Sequence, residues 1–155
     1  MAYWKKNNVV AGGEGYVFIS VEGKKVELAG AKEVDATLTY EKSEVKALGH
    51  RMTGHKVTGA SGEGSLTLYY ITSEFRKRAK EYIKTGKAFT FDLYVTNEDV
   101  ASDLGRQTVV LYDCLFDEVS LALLNADNEI LEEELSFTFD DFDVPEEFSG
   151  GYNQF

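Results

Sequence analysis

The sequence predicts a mainly β chain, α+β in class, with one peripheral helix and a long projecting hairpin or loop. Three observations carry that expectation. Alternation with a period of two recurs along the chain, and a helical period with start and stop signals occurs once. The stretch 41–64, EKSEVKALGHRMTGHKVTGASGEG, holds five glycines, with only Val45, Leu48, Met52 and Val57 as sizeable apolar residues. A segment so poor in core material projects from a domain and usually serves something outside it.

The elements follow in chain order. Gly15 to Glu22 alternates Tyr16, Phe18 and Ser20 against Val17, Ile19 and Val21, a strand apolar enough to be buried on both faces for part of its length. Gly23-Lys24 reads as a two-residue hairpin turn into a second strand, Lys25 to Ala29. Glu33 to Glu41 sets Val34, Ala36, Leu38 and Tyr40 on a core face against Asp35, Thr37 and Thr39. After the glycine-rich stretch come a strand, Ser65 to Ile71, and a helix over about Ser73 to Thr85. Ser73 is its expected N-cap, Glu74 suits the positive end of the dipole, Lys84 the negative end, and Gly86 the left-handed stop. Phe75, Ala79, Tyr82 and Ile83 form its packing stripe, leaving Arg76, Lys77, Arg78 and Lys80 outward as a contact surface for acidic partners or a solvated face. Ala88 to Thr96 opposes Phe89, Phe91, Leu93 and Val95 to Thr90, Asp92, Tyr94 and Thr96. Gln107 to Leu124 is long enough for two strands or one bent strand, with a break expected at Asp117-Glu118. Leu131 to Asp140 turns Leu135, Phe137 and Phe139 inward and Glu132, Glu134, Ser136, Thr138 and Asp140 outward.

Composition bounds the rest. At 155 residues and 43% hydrophobic content, a single domain over 1–155 is expected, with flexible arms at about 1–13 and 146–155. No apolar run reaches the roughly 18 residues of a membrane-spanning helix, and MAYWKKNN has neither an apolar segment nor a cleavage site for export. One cysteine, Cys114, leaves no internal disulfide and reads as a small packed side chain. The net charge of -11 is split along the chain. Residues 1–87 hold 15 Lys and Arg against 10 Asp and Glu, a net of +5, and residues 88–155 hold Arg106 against 17 acids, a net of -16. Opposite charges on different parts of one protein favour head-to-tail association, unless they interleave on one surface.

Signs of catalysis are weak. His50 and His55 lie five apart with no third ligand, so no metal is expected. Ser61, Ser65 and Ser73 lack a nucleophile-elbow context, and Gly12, Gly13 and Gly15 precede a strand where a phosphate loop would open a helix. Of Glu132, Glu133 and Glu134, only the first and last share a strand face, and a solvated edge explains them better than a glycosidase pair. No enzyme activity and no cofactor are expected. The acidic balance, with aromatics in core patterns and few cations between them, argues against tight nucleic-acid binding.

The wording LGHRMTGHKVTGASGEG before SLTLYYITSEF, with GRQTVVLYDCLFDEV (105–119) and LEEELSFTFDDFDVPE (131–146), resembles the tail tube proteins of contractile phage tails and phage-tail-like bacteriocins of the defective-prophage type. The resemblance runs roughly over residues 8 to 147. It implies a β-barrel or sandwich whose copies form rings, sixfold in the family, stacked into a tube that carries DNA or punctures a membrane. It also implies sheath, baseplate or tape-measure partners and a place in a virion tail or tail-like particle made in a bacterial host cytoplasm. Carried onto these residues, an assembly loop at about 42–58 presents Glu44, Leu48, His50, Arg51, Met52, His55 and Lys56 to neighbours. His50 departs from the basic residue expected there, which puts its part in an ionic contact in doubt. Thr90, Asp92, Thr96, Glu132, Glu134, Ser136 and Thr138 are expected to share a lumen wall, and Asp140, Asp141 and Asp143 an acidic interface. Tyr3, Trp4, Tyr152 and Phe155 near the termini dock on neighbours or belong to loose ends. The competing reading is a monomeric β-barrel that binds a small molecule.

Overall fold

A computed structural model describes Lys6 and residues 10–28, 30–127 and 130–149. Tyr3, Trp4, Tyr152 and Phe155 lie outside the described residues, as does Ala29 at the expected end of the second strand. In chain order the elements are β1 (Gly15–Val21), β2 (Lys24–Glu27), β3 (Ala31–Val45), β4 (Gly54–Tyr69), α1 (Glu74–Thr85), β5 (Phe91–Glu98), β6 (Arg106–Phe116), β7 (Glu132–Phe139) and β8 (Asp141–Glu146). The strands run β2-β1-β5-β6-β7-β4-β3, with β8 alongside β6, and every pairing is antiparallel.

Strand β6 belongs to two layers. Its residues Arg106 to Cys114 pair with β5, Thr108 to Tyr112 also pair with β8, and Leu115 and Phe116 pair with β7. At the crossing Asp113 has φ 52°, and the register with β5 slips between Phe91 and Leu93. Asp tolerates this left-handed backbone, and the Asp113 N–H donates to Asp92 Oδ1 at 3.2 Å. An extra residue at this point bends the strand around a corner. The other strand turns there too, where the Asp140 N–H donates to the Tyr112 carbonyl between β7 and β8.

Between the layers lies the core: Ile19, Phe91, Leu93, Leu111 and Cys114 from one, Leu66, Leu68, Leu135, Phe137 and Phe139 from the other. Phe91 and Phe137 meet across it with ring centroids 6.4 Å apart. The expected barrel is not closed. The strand path ends in two edges, β2 and β3, separated by a cleft of about 430 Å³ between Gly12–Val17 and Gly30–Val34, and β8 beside β6 presents a further edge.

Several boundaries move from expectation. Val21 pairs with Lys24, so the first turn is Glu22-Gly23, both at positive φ (52° and 82°), one residue earlier than Gly23-Lys24. Strand β3 runs on to Val45, and its supposed core residues Ala36 and Tyr40 are exposed because along this strand the packed core ends near Val34. Strand β4 starts at Gly54, not Ser65. Gly62 and Gly64 face the core opposite Phe139 and Phe137, where a Cβ would come within 2.3 Å and 2.8 Å of those rings. Glycine is there to admit aromatic rings from the next strand.

The helix starts and stops largely as its sequence dictates. Gly86 has φ 75° and donates its N–H to the Tyr82 carbonyl at 2.7 Å. Ser73 makes no side-chain cap. The Thr72 hydroxyl accepts the Glu74 N–H instead, at 3.2 Å. Phe75 is buried edge-on against Phe116, but Tyr82 and Ile83 are largely exposed, so only the first half of the stripe reaches the core. Arg76 is not on the outer face. Its guanidinium stacks on Tyr70 at 4.3 Å, donates to the Tyr70 hydroxyl and the Thr72 carbonyl, and lies 3.1 Å from Glu133, whose side chain is fully buried. An Arg reaches inward here because β7 offers it a buried carboxylate.

Candidate assembly surfaces

Strands β3 and β4 pair from Ala31↔Leu68 to Val45↔Gly54. Beyond Leu38↔Gly62 the ribbon leaves the core for seven further residue pairs, roughly 23 Å at strand rise. A bulge between Glu41 and Lys42 interrupts it, where the Thr58 hydroxyl donates to the Glu41 carbonyl. The expected loop is therefore a two-stranded ribbon ending in a tip, 46–53. Glu44 pairs in register with His55 and Ser43 with Lys56. At the tip Leu48 is fully exposed, Met52 is 89% exposed, and Gly49 turns the chain at φ 84°. Glu44 holds Lys46 at 3.6 Å, while Arg51 and Lys56 form no ion pair among the described residues.

The outer face of β3, β4 and β7 is a field of hydroxyls and carboxylates in register. Its rows are Thr37–Glu63–Thr138, Asp35–Ser65–Ser136 and Glu33–Thr67–Glu134, with Tyr69 beside Glu132. The Lys32 ammonium donates to Glu132 at 2.7 Å, a bond that raises the Lys32 pKa. Glu132, Glu134, Ser136 and Thr138 therefore share a surface, and strand alternation in β3 and β4 adds Asp35, Thr37, Glu63, Ser65 and Thr67. The four residues on β7 could be read from its sequence. Asp35 and Thr37 could likewise be read as the polar face of β3, but Glu63 and the register that sets these rows side by side could not, because the glycine-rich stretch concealed the start of β4.

Thr90, Asp92 and Thr96 do not join them. They precede or lie on β5, in the other layer. Thr96 is only 4% exposed and shares a hydrogen bond with the Thr108 hydroxyl at 3.0 Å, so its side chain is packed within the monomer, away from the outer face of β7. Asp92 is tied to the Asp113 corner.

Asp140, Asp141 and Asp143 are exposed at the junction of β7 and β8 and along β8. Asp141 and Asp143 each accept the backbone N–H of the next residue at 2.8 Å. Those donors are thus withheld from any incoming strand, which blunts this edge. Arg106 clasps Glu146 with two nitrogens and so fixes the end of β8.

Residues 2–146 match the phage tail tube protein family, and the chain belongs to that family. It is 44% identical over 145 residues to the phage-like element PBSX protein XkdM of Bacillus subtilis strain 168, covering 94% of this chain and 96% of that one. Among solved structures, a chain of the anti-feeding prophage baseplate, sixfold symmetrised, superposes with a TM-score of 0.69 at 12% identity, covering 88% of this chain and 95% of that chain. A chain of the sheath/tube terminator of an extracellular contractile injection system superposes with 0.65 at 13% identity, covering 89% and 97%. At such identities the last two show a shared fold.

Proposed function

We propose that copies of this chain join side by side into rings, that rings stack into the inner tube of a contractile tail or tail-like particle, and that the hydroxyl and carboxylate face of β3, β4 and β7 lines the channel. The observation carrying this reading is that face together with the open β3 edge beside it. The open edge of a 15-residue strand is a standing template for a neighbour's strand, and a tube wall removes the edge as a closed barrel does. Joining copies at β3 and β2 would repeat the polar rows around a circumference. The wall would be acidic and would repel a phosphate backbone, so DNA would slide through without sticking. The projecting ribbon, with Glu44, Leu48, His50, Arg51, Met52, His55 and Lys56, acts as an assembly arm, and Asp140, Asp141 and Asp143 offer it or a sheath protein an acidic surface. Sixfold rings suit the sixfold symmetrised baseplate to which the fold is similar.

Electron microscopy of the purified protein at rising concentration tests this reading. Rings or tubes of uniform width with the β3-β4-β7 face inward are expected. A monodisperse monomer at every concentration, taking up a small apolar ligand, would favour the binding-protein alternative.

A further inference from the structure

The geometry points to a socket for the hairpin tip: the apolar groove between α1 and residues 115–121 of a second copy receives Leu48 and Met52, and this contact stacks one ring on the next. The inference rests on the tube reading above and names the surface that reading leaves open. The groove is about 730 Å³ in volume, and Tyr82, Ile83, Phe89, Leu115, Phe116 and Leu121 line it. Ile83 and Leu121 are 74% and 72% exposed, and Tyr82 is half exposed. Apolar side chains held open to water along one groove mark a surface that another protein covers. At the tip the complementary feature is two unpartnered apolar side chains at the end of a stiff ribbon, a shape that inserts.

The occupant is a second copy because a molecule cannot reach its own groove. Strand β4 spans 16 residues, about 50 Å end to end, and leads from the tip at Gly54 to α1 just beyond Tyr69. Arg76 fastens the helix to that far end through Tyr70, Thr72 and Glu133, and Glu133 adjoins Glu132, the partner of Tyr69. Tip and groove therefore sit at opposite poles of one long strand pair. A contact between two different surfaces at opposite poles is heterologous, and one whose rotation does not close into a ring adds copies in one direction without end, as the stacking of rings requires. Charge sets the orientation. Asp117 and Glu118 stand on one wall of the groove and Lys80 on the other, so Arg51, next to Met52, turns toward the acidic wall.

The test uses the full chain with Met52→Cys and Leu121→Cys together. Cys114 stays in place, since it is buried and its thiol is pushed up to about 12. Mild oxidation of assembled tubes should give a ladder of disulfide-linked multimers on a non-reducing gel, and dilute monomer should give none. In parallel, Arg51→Glu should raise the concentration needed for tubes by about tenfold. Adding Asp117→Arg and Glu118→Arg to the same chain should restore it. Tubes of the double-cysteine chain seen by microscopy without any ladder, or a charge swap that restores nothing, would overturn the socket and leave the tube reading standing. Failure of the unaltered protein to form rings or tubes at any concentration would remove both.

Discussion

Glu133 lies between two solvent-facing glutamates and has no exposed surface, which strand alternation requires of the middle residue of three. Burial pushes its carboxyl above the ordinary glutamate value of 4.5, and the Arg76 guanidinium draws it partly back. A carboxyl whose folded pKa is raised favours the folded state fully below 4.5 and loses that contribution as pH rises through the folded value. At neutral pH the buried charge is thus a cost that Arg76 offsets. Arg76→Ala should therefore destabilise the monomer by about 3–5 kcal/mol near neutral pH. The loss should shrink as the medium is acidified through the Glu133 titration, where a proton replaces the guanidinium. Urea denaturation across that range measures both, and a loss that does not change with pH would mean that Arg76 acts only through Tyr70 and Thr72. This pair was hidden in the sequence. An Arg beside Phe75 and a Glu inside an acidic triplet each read as surface, and only the packing of α1 against β7 reveals that they meet.

At the scale of elements, the alternating strands were legible and the glycine-rich stretch was not. From Leu135 to Phe139 in β7 and from Phe91 to Leu93 in β5 apolar and polar residues alternate, and the core face follows directly. In β4 the inward positions 62 and 64 carry no side chain, so alternation vanishes where a ring from β7 fills the gap. Gly64→Ala should destabilise by about 1–3 kcal/mol, because the added Cβ would lie 2.4 Å from the Asp35 carbonyl oxygen, a backbone atom with little room to yield. A denaturation midpoint equal to that of the unaltered protein would count against this packing. The distal ribbon should behave in the opposite way. Glu41 and Gly59 are register partners, so residues 42–58 can be replaced by a two-residue Asn-Gly turn that joins the strands in place. The apolar area lost lies mostly outside the core, and melting should stay cooperative with a midpoint within a few degrees. Sedimentation should then find no tubes. Normal tubes from that variant would show that assembly does without the arm, and an unfolded product would place the ribbon in the core.

For the whole molecule, the charge split resolves into places: basic residues on the ribbon and α1, acids on β8 and on the outer face of β3, β4 and β7. The sequence suggested the polarity but not the corner at Asp113, because a bend imposed by one left-handed residue has no periodic signature. Without that corner, β5 and β7 seemed to share one polar wall, although β6 carries them into different layers. The wall assigned to the channel can be tested by access from solution. A cysteine in place of Glu134 lies on that face, while one in place of Lys77 lies on the exposed side of α1, and the native Cys114 is fully buried and stays silent. In dilute monomer both introduced thiols should react with a bulky maleimide at similar rates. In assembled tubes Lys77→Cys should keep its rate, and Glu134→Cys should slow progressively as tubes lengthen, because the reagent must then enter from the ends. Equal rates for Glu134→Cys in monomer and tube would put β3, β4 and β7 on the outer wall and leave the channel to be lined by the layer of β1, β5 and β6.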